Sequence, residues 1–498
     1  MDKISLGVAR MMELSQQIDK SQNSSPEKRL RLLPFDSDNK PLLSFEQNND
    51  LKLNNVNEEI FRPIQYLGSK KRSLKFIIEA TRQLQQRPET VLDLFSGTSI
   101  VSQALAHEGY KVLAADAMAF CAVFARSLLG VGRGANQVDI DKILKLLQPS
   151  SSCSSVEQAL EPWLSKEREA LNKTDSDALI DVSKRVPQIW RPQGASSALS
   201  SQFDLIRNLS GKSAIKTASL ICTHYAGTYF GVIQAVEIDR IRVGIEELYT
   251  TGQINGWEKD LSLTTLLSVS SDCAFSPGKH FAQSHLIRDG KDLSFIRARI
   301  LQDRAINVWS RFCTKISSIV ACARGIKGQH RVFHATFEDL FKDSKELPSF
   351  SLIYADPPYT AQQYSRFYHL PETIITYTVP TLQEHKGEVT RGLYPENRFK
   401  SRFSSKREAP RAFHDLFTFA KQHKASLLIS YSDSSTGKTG NDRMISMKDL
   451  LKICHQHFNF NQIQIIELEH EYRQFNQTKV AVSGRLDKEF LILCEQSC

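Results

Sequence analysis

At 498 residues, with 41% apolar and 24% charged residues, the chain has an ordinary globular composition and length enough for two or three domains. Lys+Arg exceeds Asp+Glu by 64 − 55 = 9, an excess that permits a polyanionic partner without requiring one. Nine cysteines without a CxxC pair, no His/Cys cluster at zinc spacing, no 18-residue apolar run and no apolar leader argue against a disulfide framework, a zinc site, a membrane span and secretion. The expectation is a cytoplasmic protein with reduced thiols and no bound metal.

Residues 1–60 are polar and poor in aromatics, as in KSQNSSPEKR and EQNNDLKLNNVNEE, and read as an extension or linker with one short helix over 3–19. Order begins near FRPIQYLGSKKR. TVLDLFS (90–96) then reads as a buried strand, TSIVSQALAHEG (98–109) as a helix with a glycine stop, YKVLAAD (110–116) as a second strand and AMAFCAVFARSLLG (117–130) as a second helix. This βαβα unit predicts a doubly wound parallel sheet. From 131 to 330 the strand signal fades, with helices expected over 156–172, 213–225, 231–249, 256–273 and 294–322. The sheet pattern resumes at HRVFHATFEDLF (330–341), SFSLIYAD (349–356) and KASLLISYSD (424–433). FNQIQIIELEHEY (460–472) and EFLILCE (489–495) read as a closing antiparallel pair. No internal repeat is evident.

Three motifs carry chemistry. In DLFSGTSIVS (93–102) a glycine turn follows a buried strand and opens a helix, so a ligand can approach the backbone closely. The pattern is Phe95-x-Gly97-x-Ser99, without the G-x-G-x-x-G of dinucleotide enzymes, which counts against a nicotinamide cofactor. Asp116 ends the next strand, where a carboxylate can accept hydrogen bonds from both ribose hydroxyls of an adenosine; it can equally cap the helix over 117–130.

The third motif, Asp356-Pro357-Pro358-Tyr359, follows its own strand. Two prolines fix φ and remove two backbone donors. What remains is a stiff loop presenting acceptors, the Asp356 carboxylate and the Pro357 carbonyl. Two acceptors at fixed angles suit an exocyclic NH₂ group. Accepting both hydrogens moves the nitrogen from planar towards tetrahedral and frees its lone pair for attack. Tyr359 adds a π-face on which a base can stack.

With these motifs in place the chain resembles the amino-group DNA methyltransferases, specifically the Dam-like adenine-specific (N6) class. PIQYLGSKKR (63–72) is similar to the family's P-x-x-Y-x-G-x-K opening segment, with Tyr66, Gly68 and Lys70 at the matching places. DLFSGTS is similar to its F-x-G-x-G cofactor turn, with Ser99 where the second glycine stands. The motif order is that of the adenine class, with the recognition region before DPPY. The resemblance covers roughly 61–130 and 331–498.

The resemblance implies a Rossmann-like α/β fold, an S-adenosylmethionine-dependent methyltransferase sheet with a large, mostly helical insertion. It divides the chain into a polar extension (1–60), a first catalytic part that binds the cofactor (61–130), a helical insertion for target recognition (131–330) and a second catalytic part (331–498). It implies Asp356, Pro357, Pro358 and Tyr359 as catalytic residues. Tyr66, Lys70, Asp93, Phe95, Ser96, Gly97 and Asp116 would surround S-adenosylmethionine. The family's acidic contact to the cofactor adenine would fall near Thr336, so Glu338, Asp339 or the backbone would take its place.

Interleaved cations and aromatics over 398–411 suit a nucleic-acid backbone, with Arg366, Arg398, Lys400 and Arg402 as the expected contacts to double-stranded DNA. In the insertion, GTYFG (227–231) reads as core packing at least as readily as ligand contact. DRIR (239–242) reads as phosphate contact or as a salt-bridged helix face. His369 and the tryptophans read as packing residues.

The implied activity is transfer of a methyl group to the N6 amino group of a flipped-out adenine, in restriction-modification or phage defence. An N4-cytosine or RNA-adenine acceptor stays open, because both offer an NH₂ group to the same loop. So does a DNA-binding subunit of a restriction or defence complex that acts only with a partner.

Overall fold

The computed structural model describes residues 32–33, 60–133, 138–148, 154–285, 287, 292–433, 442–472 and 487–496. Ten strands are described: β1 (Leu32–Leu33), β2 (Thr90–Asp93), β3 (Lys111–Asp116), β4 (Arg331–His334), β5 (Leu352–Ala355), β6 (Glu384–His385), β7 (Glu388–Val389), β8 (Ser426–Asp433), β9 (Ile463–Tyr472) and β10 (Asp487–Cys494). β6 and β7 form a small hairpin, and the other eight make one sheet in the order β1-β9-β10-β8-β5-β2-β3-β4. Its centre, β8-β5-β2-β3-β4, is parallel. β10 enters antiparallel between β8 and β9, so the expected closing antiparallel pair is present, and β1 adds to the outer edge.

Both faces of the sheet are covered, which is why its strands read as apolar runs rather than alternating ones. Val91, Val112, Leu352, Leu428 and Leu491 pack under helices Leu74–Arg82 and Ile100–His107. Their neighbours Leu92, Leu113, Ile353, Leu427 and Ile492 point the other way, against helices Phe337–Lys342, Ala409–Gln422 and Met447–His457. A third core joins helix Ala119–Leu128 to the helices that follow it, where every regular element described between β3 and β4 is helical.

Several boundaries differ from expectation for local reasons. The helix expected over 294–322 is two, Ser294–Arg304 and Val308–Gly325, because the Asn307 side chain accepts from the Ser310 amide at 2.7 Å and starts a new helix. Helices Ser176–Arg185 and Ser197–Arg207 were not expected. Each starts at a side-chain cap, Asp175 and Ser196. The segment 330–341 is not strand throughout. Thr336 and Asp339 form a capping box that turns the chain into helix Phe337–Lys342 right after β4. The helix expected over 3–19 lies outside the described residues. No helix among the described residues is long and apolar enough to cross a membrane.

Candidate active site

β2 has β3 on one side and β5 on the other, so the sheet's connections leave in opposite directions at this strand. In an open α/β sheet, such a switch point leaves a crevice beyond the carboxyl ends of the strands. The glycine turn after β2 and the DPPY loop after β5 both open onto it. The cleft there is lined by Tyr66, Phe95, Asp116, Met118, Phe337, Glu338, Asp356, Pro358, Gln363, Tyr364, Phe399 and Phe403, among others.

The glycine turn is built tightly. The Ser96 amide donates to the Ala115 carbonyl at 3.0 Å, and the Ser99 amide to the Ser96 carbonyl at 2.7 Å. Gly97 has φ +50°, and a Cβ there would stand 3.2 Å from the Tyr66 ring. Ser99 is also left-handed, at φ 60°, and fully buried. Serine thus holds a glycine-like conformation at a cost of about 1 kcal/mol. The Asp116 carboxylate fastens the turn to β3, accepting from the Gly97 and Met118 amides, each at 2.9 Å. Burial raises the Asp116 carboxyl above its ordinary value, against the pull of those two donors.

Tyr66 forms the opposite wall. Its ring stacks on Tyr368 with centroids 4.5 Å apart, and the Leu67 amide donates to the Tyr368 hydroxyl at 2.6 Å. Gly68 follows at φ +69°, where a Cβ would meet the Tyr364 hydroxyl at 2.9 Å. This close approach aims Lys70 inward.

Lys70 is 5% exposed, with its ammonium 2.8 Å from Asp356 Oδ2 and 3.1 Å from Glu489 Oε1. Burial opposes its charge, but the two carboxylates more than offset that and hold it well above the ordinary lysine value. For Asp356 the balance tips the other way. Burial and the Glu489 charge raise it to about 6, against the attraction of Lys70.

Among the other expected site residues, Phe95 lines the cleft, and Ser96 Oγ is buried with no partner among the described residues. Asp93 does not reach the cleft wall. It is 1% exposed and accepts from Ser102 Oγ at 2.5 Å, beneath the turn. Tyr359 is only 6% exposed, its ring set against Tyr431 with the Arg443 guanidinium 5.1 Å from its centroid. The apolar surfaces open to the cleft beside Asp356 are Pro358, Tyr364 and Phe399 instead. Asp339 is engaged in its capping box, whereas Glu338 lines the cleft.

The basic segment splits in two. Arg398 donates to the Pro395 carbonyl at 2.8 Å and to Gln383 Oε1 at 3.0 Å, and it shares the Tyr394 ring with Arg366. Arg402 pairs with Asp415 at 2.9 Å and reaches Glu338 at 3.6 Å. Lys400, Lys406, Arg407 and Arg411 are exposed, as is Arg366.

DRIR is a salt-bridged helix face, with Arg240 on Glu157 at 2.6 Å and Arg242 on Glu246 at 3.0 Å, and it also holds backbone ends. Asp239 accepts from the Ile221 and Cys222 amides, both at 2.8 Å, and Arg242 donates to the Ile374 and Ile375 carbonyls, both at 2.8 Å. Tyr229 of GTYFG is fully buried, and so are His369 and Trp257 to within a few per cent.

Sequence reasoning missed Glu489 and Arg443. Glu489 carried a signal, as an acid opening the otherwise apolar run FLILC. Arg443 carried none, because only the pairing of Met444 with the Tyr359 carbonyl at 3.0 Å brings it there.

Residues 66–170 match the family model described as D12 class N6 adenine-specific DNA methyltransferase. Over 424 residues, 84% of this chain and 53% of the relative, the chain is 23% identical to Modification methylase LlaI of Lactococcus lactis subsp. lactis. Over 81 residues, 16% of this chain and 11% of the relative, it is 37% identical to Type II methyltransferase M.FokI of Planomicrobium okeanokoites. The chain thus spans about half the length of the first of these relatives. The resemblance drawn from the motifs is borne out over residues 66–170, the stretch that holds the Gly97 turn and Asp116.

Proposed function

We propose that this chain is an S-adenosylmethionine-dependent DNA methyltransferase that modifies the N6 amino group of adenine. The observation that carries the reading is the convergence of two loops on one crevice: the turn after β2, through Phe95, and the loop after β5, through Asp356 and Pro358. The fold is read as Rossmann-like, with residues 131–330 as a helical insertion that recognises the target. The modification methylase relatives support a role in restriction-modification. Double-stranded DNA is the substrate, and a cognate restriction or defence subunit is a possible partner in a cytoplasmic setting.

The cleft suits the adenosine end of S-adenosylmethionine. Tyr66, Phe95, Met118 and Phe337 offer apolar faces, Asp116 and Glu338 offer acceptors, and Ser96 Oγ is a buried polar atom still lacking a partner among the described residues. Asp116 has a lone pair left for a ribose hydroxyl beyond the two amides and the Cys121 thiol it serves. When bound, the cofactor supplies an electrophilic methyl group on a sulfonium.

Asp356 and the Pro357 carbonyl accept the two amino hydrogens of the extruded base and aim its nitrogen lone pair. Pro358 and Phe399 hold the base plane, and Tyr359 braces the loop from behind. With the cofactor held by these residues, N–C bond formation would be matched by cleavage of the sulfonium C–S bond to a neutral thioether, and the alkylated amine would release its extra proton to solvent. The gain comes from positioning and from acceptors fixed before the reaction begins.

The test is incubation of the chain with methyl-labelled S-adenosylmethionine and, in parallel, unmethylated double-stranded DNA or RNA, followed by nucleoside mass spectrometry. N6-methyladenine is expected. Methylcytosine would overturn the choice of base, and label in RNA alone would overturn the choice of substrate.

A further inference from the structure

Glu489 lies in a strand whose neighbouring side chains are core. Along β10, Leu491 and Leu493 share its side of the sheet and join the core under helices Leu74–Arg82 and Ile100–His107. At 3% exposure, a carboxylate in that row costs free energy unless it is compensated. A break in local consistency of this kind is expected where function requires it. The pairing of β10 with β9 also shifts register between Asp487 and Glu489. Such irregularities re-aim side chains beside active sites.

The partners show where the carboxylate is aimed. Oε1 stands 3.1 Å from Lys70 Nζ, and Oε2 accepts from Ser73 Oγ at 3.3 Å. The same ammonium lies 2.8 Å from Asp356 Oδ2 and donates to the Gly68 carbonyl at 3.3 Å. Its three hydrogens therefore face three acceptors, and one cation bridges a carboxylate on β10 and one in the loop after β5, two strands that β8 separates.

We propose that Glu489 is a positioning residue for methyl transfer, acting through Lys70 to keep Asp356 available to the target amino group. The inference rests on the reading of Asp356 as the amine's acceptor. An isolated Asp356–Lys70 pair is neutral, and its carboxylate is committed to the ammonium. Glu489 shares the ammonium and leaves the three residues with one net negative charge. That charge sits beside the nitrogen that becomes cationic as the methyl arrives, where fixed electrostatics count most. Asp93, Tyr354, Tyr359 and the Arg443 guanidinium over Tyr359 are the other titratable or charged groups nearby.

The test compares the full chain with Glu489→Gln, which keeps shape and removes charge, and Glu489→Asp, which keeps charge. Single-turnover methylation in Glu489→Gln should slow on the order of tenfold, the scale of one charge-assisted hydrogen bond, with cofactor affinity unchanged. In carbon-13 NMR of aspartate-labelled protein, with Asp356→Asn for assignment, the Asp356 carboxyl should titrate at lower pH in Glu489→Gln than in wild type. Glu489→Asp should retain more of the rate than Glu489→Gln. Equal losses in the two variants would mean packing alone and overturn the proposal. So would a Glu489→Gln protein with wild-type rate and an unmoved Asp356 titration. If the wild-type chain transfers no methyl, the functional reading fails by itself. The NMR titration then decides the coupling, and an unmoved Asp356 would overturn it.

Discussion

The Asp116 carboxylate accepts from the Gly97 amide at 2.9 Å, tying the end of β3 to the turn after β2. Its other oxygen accepts from the Met118 amide at the entrance to helix Ala119–Leu128. One side chain thus holds the turn's shape and faces the cleft. Asp116→Ala should weaken S-adenosylmethionine binding by roughly 10²-fold, the loss of two or more charge-assisted hydrogen bonds, and Asp116→Asn by about tenfold. Calorimetric titration with the cofactor checks both. Wild-type affinity in Asp116→Ala would mean that the carboxylate serves the fold alone.

Asp356→Ala should abolish transfer while much of the cofactor binding remains, because the side chain orients the amine and not the adenosine. The pH dependence follows from its environment. Burial raises the carboxyl to about 6, and the acceptor must be ionised, so the methylation rate should fall as pH drops through about 6 and level off above. A profile measured at saturating DNA and cofactor that stays flat to pH 5 would contradict this role.

Burial also raises Asp93, to about 7, against the hydrogen bond from Ser102. The folded chain therefore holds this proton more tightly than the unfolded one. The resulting stability is fully present below about pH 4 and is lost as pH rises through about 7. Asp93→Asn should be more stable than wild type by on the order of 1–3 kcal/mol at pH 8, with no gain at pH 4. Cofactor affinity should be unchanged, since Asp93 lies beneath the turn. Thermal melts at the two pH values and one binding titration decide it.

Arg242 and Lys400 separate structural from nucleic-acid cations. Arg242 is 4% exposed and closes helix His369–Thr376 through two carbonyls. Arg242→Met should cost about 2–4 kcal/mol of stability, the scale of breaking a buried charged network. The salt dependence of DNA binding should not change. Lys400→Ala should leave stability within about 0.5 kcal/mol and lower the log–log salt slope by about 0.9. DNA titrations at several salt concentrations check both slopes.

The Asp356-Pro357-Pro358-Tyr359 loop and the Gly97 turn were legible in the sequence because each depends on local chemistry. Prolines remove donors, a glycine permits a left-handed turn, and both follow apolar strands. Helices Ser176–Arg185 and Ser197–Arg207 carried readable caps in Asp175 and Ser196, but at 10 and 11 residues they are short and rich in polar residues, which hid them. The basic segment was legible only in part. Arg398 and Arg402 have the spacing of phosphate contacts, yet Pro395, Gln383, Asp415 and Glu338 occupy them.

By itself the sequence determined the parallel core, the order of its motifs and the residues of the Asp356-Pro357-Pro358-Tyr359 loop, since period, turn chemistry and apolar runs act within a few residues of themselves. Tertiary structure alone decided the surroundings of that loop. Lys70 meets Glu489 across more than four hundred residues because the last strand inserts beside β8. Arg443 lies over Tyr359 because the chain after β8 returns to pair with the loop. Charges and rings interact through space, and distance in space between such segments is set by strand order, which no local pattern encodes.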